Sequence, residues 1–180
     1  PVSGGTAAAN SGALTFMAGC PDEDFAAVED ALKPMAKAII HAGASGAGQA
    51  AKICNNMLLG ISMIGTCEAF ALAEKLGLDA ERFFAIASES SGQCWSLTSY
   101  CPWPGPVPAA PSNRDYQGGF ATAMMLKDLK LAGEAAESVG LVAPLGATAR
   151  DFYQILADRG CGQKDFSFAL EALRGRLPQQ

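Results

Sequence analysis

The alternation of apolar and polar positions changes character once along the chain, close to Gly48. Before that point two short apolar runs, ALTFMAG at residues 13–19 and AIIHAG at residues 38–43, flank a helical stretch, PDEDFAAVEDALKPMA. Pro21 and the acidic Asp22, Glu23 and Asp24 mark the start of that helix, where a preset φ and negative charge are both favoured. Strand, helix, strand is α/β wiring. The opening PVSGGT reads as the end of a strand running into a loop. After Gly48, Ile53, Met57, Leu58, Ile61, Ile64 and Leu72 follow helical spacing, and no proline interrupts before Gly77. One helix of about 28 residues and about 40 Å is expected there, long for a globular helix and suited to a domain connector.

Beyond it Asp79 is placed as the N-cap of ERFFAIASES. Residues 92–119, which contain CPWPGPVPAAP, read as a loop too long for a mere connection; Trp95, Tyr100 and Trp103 in it point to a packed, functional segment. Three further helices are expected over residues 120–139, 145–159 and 166–173, the last two ended by Gly160 and Gly175. The expected fold is mainly α: an all-helical domain over residues 45–180, entered by the long helix and preceded by an α/β portion over residues 1–44. Because the sequence opens on Pro1 at a strand end, it is expected to start in the middle of a domain.

Composition narrows the function classes. With 180 residues, 49% hydrophobic, the chain can build one good core and part of a second. A net charge of -5 without a basic run offers nucleic acid no electrostatic footprint. No unbroken apolar run reaches about 18 residues and no charged-then-apolar leader is visible, so neither a membrane span nor a secretory peptide is expected. The expected compartment is the cytoplasm, or the mitochondrial matrix in a eukaryote. Six cysteines without a C-x-x-C spacing, beside a single histidine, argue against a zinc site. Cys54 and Cys67 fall in the helical pattern, where a small buried thiol is expected.

The stretch GAGQAAKICNN, residues 46–56, carries the candidate chemistry. Its first six residues read G-x-G-x-x-A after a strand-like run, close to a dinucleotide fingerprint. That fingerprint needs a second strand ending in an acid, and Glu68, at about the right distance, lies inside the long helix; the phosphate-cradle reading therefore fails on context. The other reading is catalytic. Lys52 and Asn56 are four apart and share a helical face, with Asn55 beside them. A lysine in the first turns of an apolar helix is desolvated, which disfavours its charged form and suits it to proton transfer near neutral pH. Spacing alone favours a solvated lysine on an exposed face.

The chain resembles the β-hydroxyacid dehydrogenase family, and within it the 3-hydroxyisobutyrate branch. The matching pieces are PVSGG, GAGQAAKICNNMLLGISMIGTCEA, SSGQCW, the Pro-rich stretch ending in YQGGF, and MMLKDLKLA, spread over nearly the whole sequence. The resemblance implies an N-terminal Rossmann domain that binds NAD or NADP, a long interdomain helix and a helical C-terminal domain. Only the last part of that Rossmann domain, residues 1 to about 44, matches; the family's Gly-rich turn and ribose-binding acid have no counterpart in the 180 residues.

By this resemblance Lys52 is the general acid–base that takes or returns the hydroxyl proton, and Asn56 orients the same oxygen. Ser3, Gly4 and Gly5 match the family's substrate loop, where glycine N–H groups and a hydroxyl grip a carboxylate; from the residues alone S-G-G is equally a turn. Lys127 in MMLKDL matches a lysine that reaches the cofactor. Without the family it reads as a solvated helix lysine paired with an acid, and Asp128, next to it in sequence, is not expected to face it. Trp95 and Tyr100 would wall the substrate pocket or else pack beneath the Pro-rich loop, and Phe120 would line the same pocket. The implied reaction is oxidation of 3-hydroxyisobutyrate, an intermediate of valine breakdown. Alternatives are a sister enzyme acting on serine, 4-hydroxybutyrate or tartronate semialdehyde, or a truncated, non-catalytic helical oligomerisation module. The expected partners are a small hydroxy acid and further copies of the chain, as a dimer or tetramer.

Overall fold

The computed structural model describes residues 1–177, the side chain of Thr6 excepted. It contains two compact units, Pro1–Asn56 and the residues from Met57 onward, and most of its regular structure is helical. The long helix carries the chain from one unit into the other.

The first unit is built on a three-stranded sheet in the order β1-β2-β3, with β1 Val2–Ser3, β2 Leu14–Gly19 and β3 Ala36–Gly43. β1 runs antiparallel to β2, Val2 opposite Phe16, whereas β3 is parallel to β2, Phe16 opposite Ile39. A parallel pair needs a crossover. Here it comprises a 3-10 turn at Asp22–Asp24, helix α2 at Phe25–Leu32 and a second 3-10 turn at Lys33–Met35. The single helix expected over residues 21–36 is thus tightened at both ends. At the far end the cause is Pro34, which has no N–H to continue the α-helical ladder. The loop expected after PVSGG is instead a short helix, α1 at Gly5–Asn10. Its alanine-rich stretch has high helix propensity, and glycines at both ends obscure it in a single sequence.

Helix α3, Ala47–Lys75, is 29 residues long, as the spacing predicts. The buried face differs from the expected one. Met63, Cys67 and Phe70 are almost fully buried, while Leu58 and Leu72 are 63% and 60% exposed. A helix apolar on nearly every side does not announce which stripe it will bury. Over its most apolar 18 residues α3 reaches a mean hydropathy of 1.4, so length and composition alone would let it cross a bilayer. Counting unbroken apolar runs misses this. Part of that apolar surface, Met63, Cys67 and Phe70, is buried in the second unit's core.

The second unit continues with α4 Ala80–Ser88, α5 Trp95–Thr98, α6 Thr122–Ser138, α7 Pro144–Leu156 and α8 Ala169–Leu173. Asp79 caps α4 as expected, its Oδ1 accepting from the Arg82 N–H at 3.0 Å. The long loop is folded on itself. The Ser112 hydroxyl donates to the Cys101 carbonyl at 2.8 Å, the Tyr116 hydroxyl to that of Pro102 at 3.0 Å, and the Asn113 side chain bridges Gly105 and Val107. Cys67, Cys101 and Cys161 are buried free thiols, whereas Cys54 is exposed, against expectation, because it lies on the outward face of α3.

The C-terminal end of the second unit is held by one guanidinium. Arg174 makes a bidentate pair with Glu74 at 2.9 and 2.6 Å, reaches Glu171 at 2.8 Å, and stacks over Trp103 at 4.5 Å. Bidentate geometry with the cation largely desolvated is the arrangement in which such a pair matters. Arg174→Ala should therefore lower unfolding free energy by about 2 kcal/mol, measured by urea denaturation. Hydrogen bonding from Arg174 holds the Glu74 carboxyl below the usual carboxylate range. A depressed native pKa stabilises the fold above the unfolded carboxylate's range, and that contribution is lost as pH falls through the native value. In acid the wild-type chain should lose stability more steeply than Arg174→Ala.

Candidate active site

In the first unit the Lys52 side chain reaches the end of β1. The strand stops at Ser3, and Gly4 and Gly5 follow with φ of 133° and 64°. Lys52, in the second turn of α3, donates from Nζ to the Val2 carbonyl at 2.7 Å, which puts its amine beside that turn. Among the described residues it is in no ion pair. Asn56 sits one helical turn further along the same face and is 6% exposed; its Oδ1 accepts from the Asn55 side-chain amide at 3.1 Å.

The start of α3 can bring Lys52 there because Gly48 has no side chain. A Cβ at Gly48 would run into the Met17 carbonyl, so the helix lies directly on the backbone of β2. This also settles the G-x-G-x-x-A question. Strand, glycine turn and helix do follow one another, but among the described residues no further strand comes after α3. The second glycine serves helix-on-strand packing, and the dinucleotide-binding unit is not formed.

In the second unit Trp95, Tyr100 and Phe120 form one aromatic group. The Trp95 and Tyr100 rings stack at 4.8 Å, with Trp95 half exposed; Tyr100 and Phe120 each pack on Phe166, at 5.5 and 5.7 Å. Trp103, by contrast, fills the space beneath the Pro-rich loop, stacked on Phe70 at 5.8 Å. A residue that sequence reasoning passed over joins the group. Asp165, fully buried, accepts through Oδ2 from the Tyr100 hydroxyl at 2.8 Å and the Phe120 N–H at 2.7 Å. Through Oδ1 it accepts from the backbone N–H and hydroxyl of Ser167. The visible signal in D-F-S-F is only that of a helix cap. Burial pushes the Asp165 carboxyl up, opposed first by its bonds from Ser167. Burial, then the Asp165 charge, pushes the Tyr100 phenol far up, so it stays a hydrogen-bond donor at any working pH.

Lys127 lies in the second turn of α6, 57% exposed, with its Nζ 3.3 Å from Asp128 Oδ1. The expectation that neighbours in sequence do not face each other fails here because the lysine stem is long enough to curl back. The described residues contain no cluster of His, Cys, Asp and Glu side chains suited to a metal. A groove of about 410 Å³ opens between α6 and α7, lined by Leu129, Gly133, Leu141 and Arg150 among others, and none of the predicted site residues lines it.

Comparison with known proteins adds an independent line. Residues 46–173 match the family described as NAD-binding of NADP-dependent 3-hydroxyisobutyrate dehydrogenase, and residues 1–43 match the NAD binding domain of 6-phosphogluconate dehydrogenase. A probable 3-hydroxyisobutyrate dehydrogenase of Mycobacterium tuberculosis is 48% identical over 98% of this chain and 60% of its own length. The human mitochondrial 3-hydroxyisobutyrate dehydrogenase is 49% identical over 97% of this chain and 52% of its own. The chain thus spans between about half and 60% of the curated relatives it matches. Among solved structures, Mycobacterium tuberculosis 3-hydroxyisobutyrate dehydrogenase with L-serine aligns at a TM-score of 0.92 and 47% identity, covering 97% of this chain and 60% of that one. A Salmonella typhimurium 3-hydroxyisobutyrate dehydrogenase aligns at 0.77 and 26%, covering 96% and 58%.

The two glycine-bearing turns make unequal predictions. Gly119 has φ 76°, and a Cβ there would strike the Asp165 carboxylate and the Tyr100 hydroxyl, whereas one at Gly5 would meet nothing within 4 Å. Gly119→Ala should cost about 2–4 kcal/mol and Gly5→Ala about 1–2, the left-handed penalty alone, by denaturant titration.

Proposed function

The chain belongs to the NADP-dependent 3-hydroxyisobutyrate dehydrogenase family, and on that premise we propose that the protein oxidises 3-hydroxyisobutyrate to methylmalonate semialdehyde with NAD or NADP, in valine breakdown. The observation that carries this reading is the Lys52 amine held against the Val2 carbonyl beside the Ser3-Gly4-Gly5 turn. The donors there, an ammonium or amine, a hydroxyl and backbone N–H groups on an open glycine, suit a small hydroxy acid and the nicotinamide end of the cofactor.

When bound, the nicotinamide supplies the hydride acceptor. The chain's own residues do the rest. In its neutral form Lys52 keeps an N–H on the Val2 carbonyl, which aims the remaining lone pair; it takes the substrate hydroxyl proton from there and returns it in the reverse direction. The Asn56 amide orients that hydroxyl oxygen, and Ser3, Gly4 and Gly5 bind the carboxylate. Trp95, Tyr100 and Phe120 wall the pocket and exclude water. Lys127, on a solvent-facing stretch of α6, reaches the cofactor. In this reading α3 is the interdomain helix between a cofactor-binding domain, to which residues 1–44 belong, and a helical domain over residues 45–180. The protein acts as a homo-oligomer in the bacterial cytoplasm or the mitochondrial matrix.

A second reading is favoured by the L-serine in the Mycobacterium tuberculosis structure: L-serine is also a 3-hydroxy acid, and this chain would then oxidise it. A substrate panel separates the two by kcat/KM. Two measurements test the mechanism on the complete protein. Lys52→Ala should reduce kcat by about 10²-fold or more with the fold intact; retained turnover would remove Lys52 from the chemistry. Lys127→Ala should mainly raise the KM for the cofactor. An unchanged value would leave Lys127 as a solvated partner of Asp128.

A further inference from the structure

Asp165 is a buried carboxylate to which the reaction above gives no task. A charge taken out of water is costly unless donors replace the water, and Asp165 has gathered its donors from three separate stretches of chain: Tyr100, Phe120 and Ser167. Gly119 lets the carboxylate and the Tyr100 hydroxyl come this close, since any side chain there would occupy the same space.

The consequence falls on Trp95. Trp95 is 51% exposed, so about half of it is held by no neighbour, and its ring stacks on Tyr100. Tyr100 in turn is fixed by Asp165 Oδ2, the same oxygen that holds the Phe120 backbone. One atom therefore ties the Tyr100 hydroxyl to the Phe120 backbone, beside the packing of both rings on Phe166.

We infer that Asp165 is a positioning residue: its carboxylate holds Tyr100 and Phe120 and, through Tyr100, orients Trp95, so that the aromatic wall is formed before substrate arrives. The link to substrate rests on the reading in which these rings line the hydroxy-acid pocket. Preorganisation of this kind acts on binding geometry more than on the chemical step.

The test uses the complete protein labelled with 5-fluorotryptophan, its Trp95 and Trp103 resonances assigned by Trp95→Phe and Trp103→Phe. In Asp165→Asn the amide cannot accept from all four donors, so the Trp95 resonance should shift or broaden while that of Trp103 stays in place. The KM for hydroxy acid should rise by roughly ten-fold, with kcat and the cofactor KM nearly unchanged. Tyr100→Phe should move the same resonance, and the double variant should add little to either change. A folded Asp165→Asn with an unmoved Trp95 resonance overturns the positioning role. So does a joint shift of both resonances, which would mean general loosening. If Trp95 moves but the KM for every hydroxy acid tested stays constant, the pocket reading falls while the positioning of the rings stands. Should Asp165→Asn fail to fold, Tyr100→Phe alone decides between these outcomes.

Discussion

The first turns of α3 lie so close to β2 that only a glycine fits between them. Gly48 sits where a Cβ would meet the Met17 carbonyl, and this contact brings Lys52 within 2.7 Å of the Val2 carbonyl on the neighbouring strand. A helix held farther off by a side chain would leave the lysine amine in solvent, away from the Ser3-Gly4-Gly5 turn. The catalytic proposal thus depends on a packing constraint four residues before Lys52. The same constraint explains why the stretch imitates a dinucleotide fingerprint: both uses of the glycine require a backbone to approach a helix start closely.

The second unit solves a related problem with charge. Its aromatic group is tied by the buried Asp165 carboxylate, and its C-terminal segment by the Arg174 guanidinium between Glu74 and Glu171. Each ion gathers partners that are distant in sequence. For a core with a long Pro-rich loop on its surface, such polar anchors supply a unique arrangement that apolar packing alone leaves open.

What was legible in the sequence follows from the range of the interactions involved. The length of α3 and the Asp79 cap are local, since spacing and cap chemistry act within a few residues. Lys52 and Asn56 could be paired from their four-residue interval, and family resemblance supplied a role that spacing left open. The Asp165 group was invisible because its partners at Tyr100 and Phe120 lie 65 and 45 residues away. The outward turn of Leu58, Leu72 and Cys54 was hidden for a different reason: α3 is apolar around its circumference, so tertiary packing alone selects the buried stripe. Helix α1 was missed because glycine flanks argue for a loop while the alanines between them argue for a helix, and only the fold decides.

The central claim is that the Lys52 amine transfers the substrate's hydroxyl proton. Chemical rescue tests it most directly: in the complete protein, Lys52→Ala leaves a gap that a small primary amine such as ethylamine can enter. The account predicts that turnover of 3-hydroxyisobutyrate by this variant rises with amine concentration and that more basic amines of equal size rescue better. An intact, cofactor-binding variant whose residual rate is indifferent to amine at every concentration would contradict it, and would assign the lysine to holding the β1 turn in place.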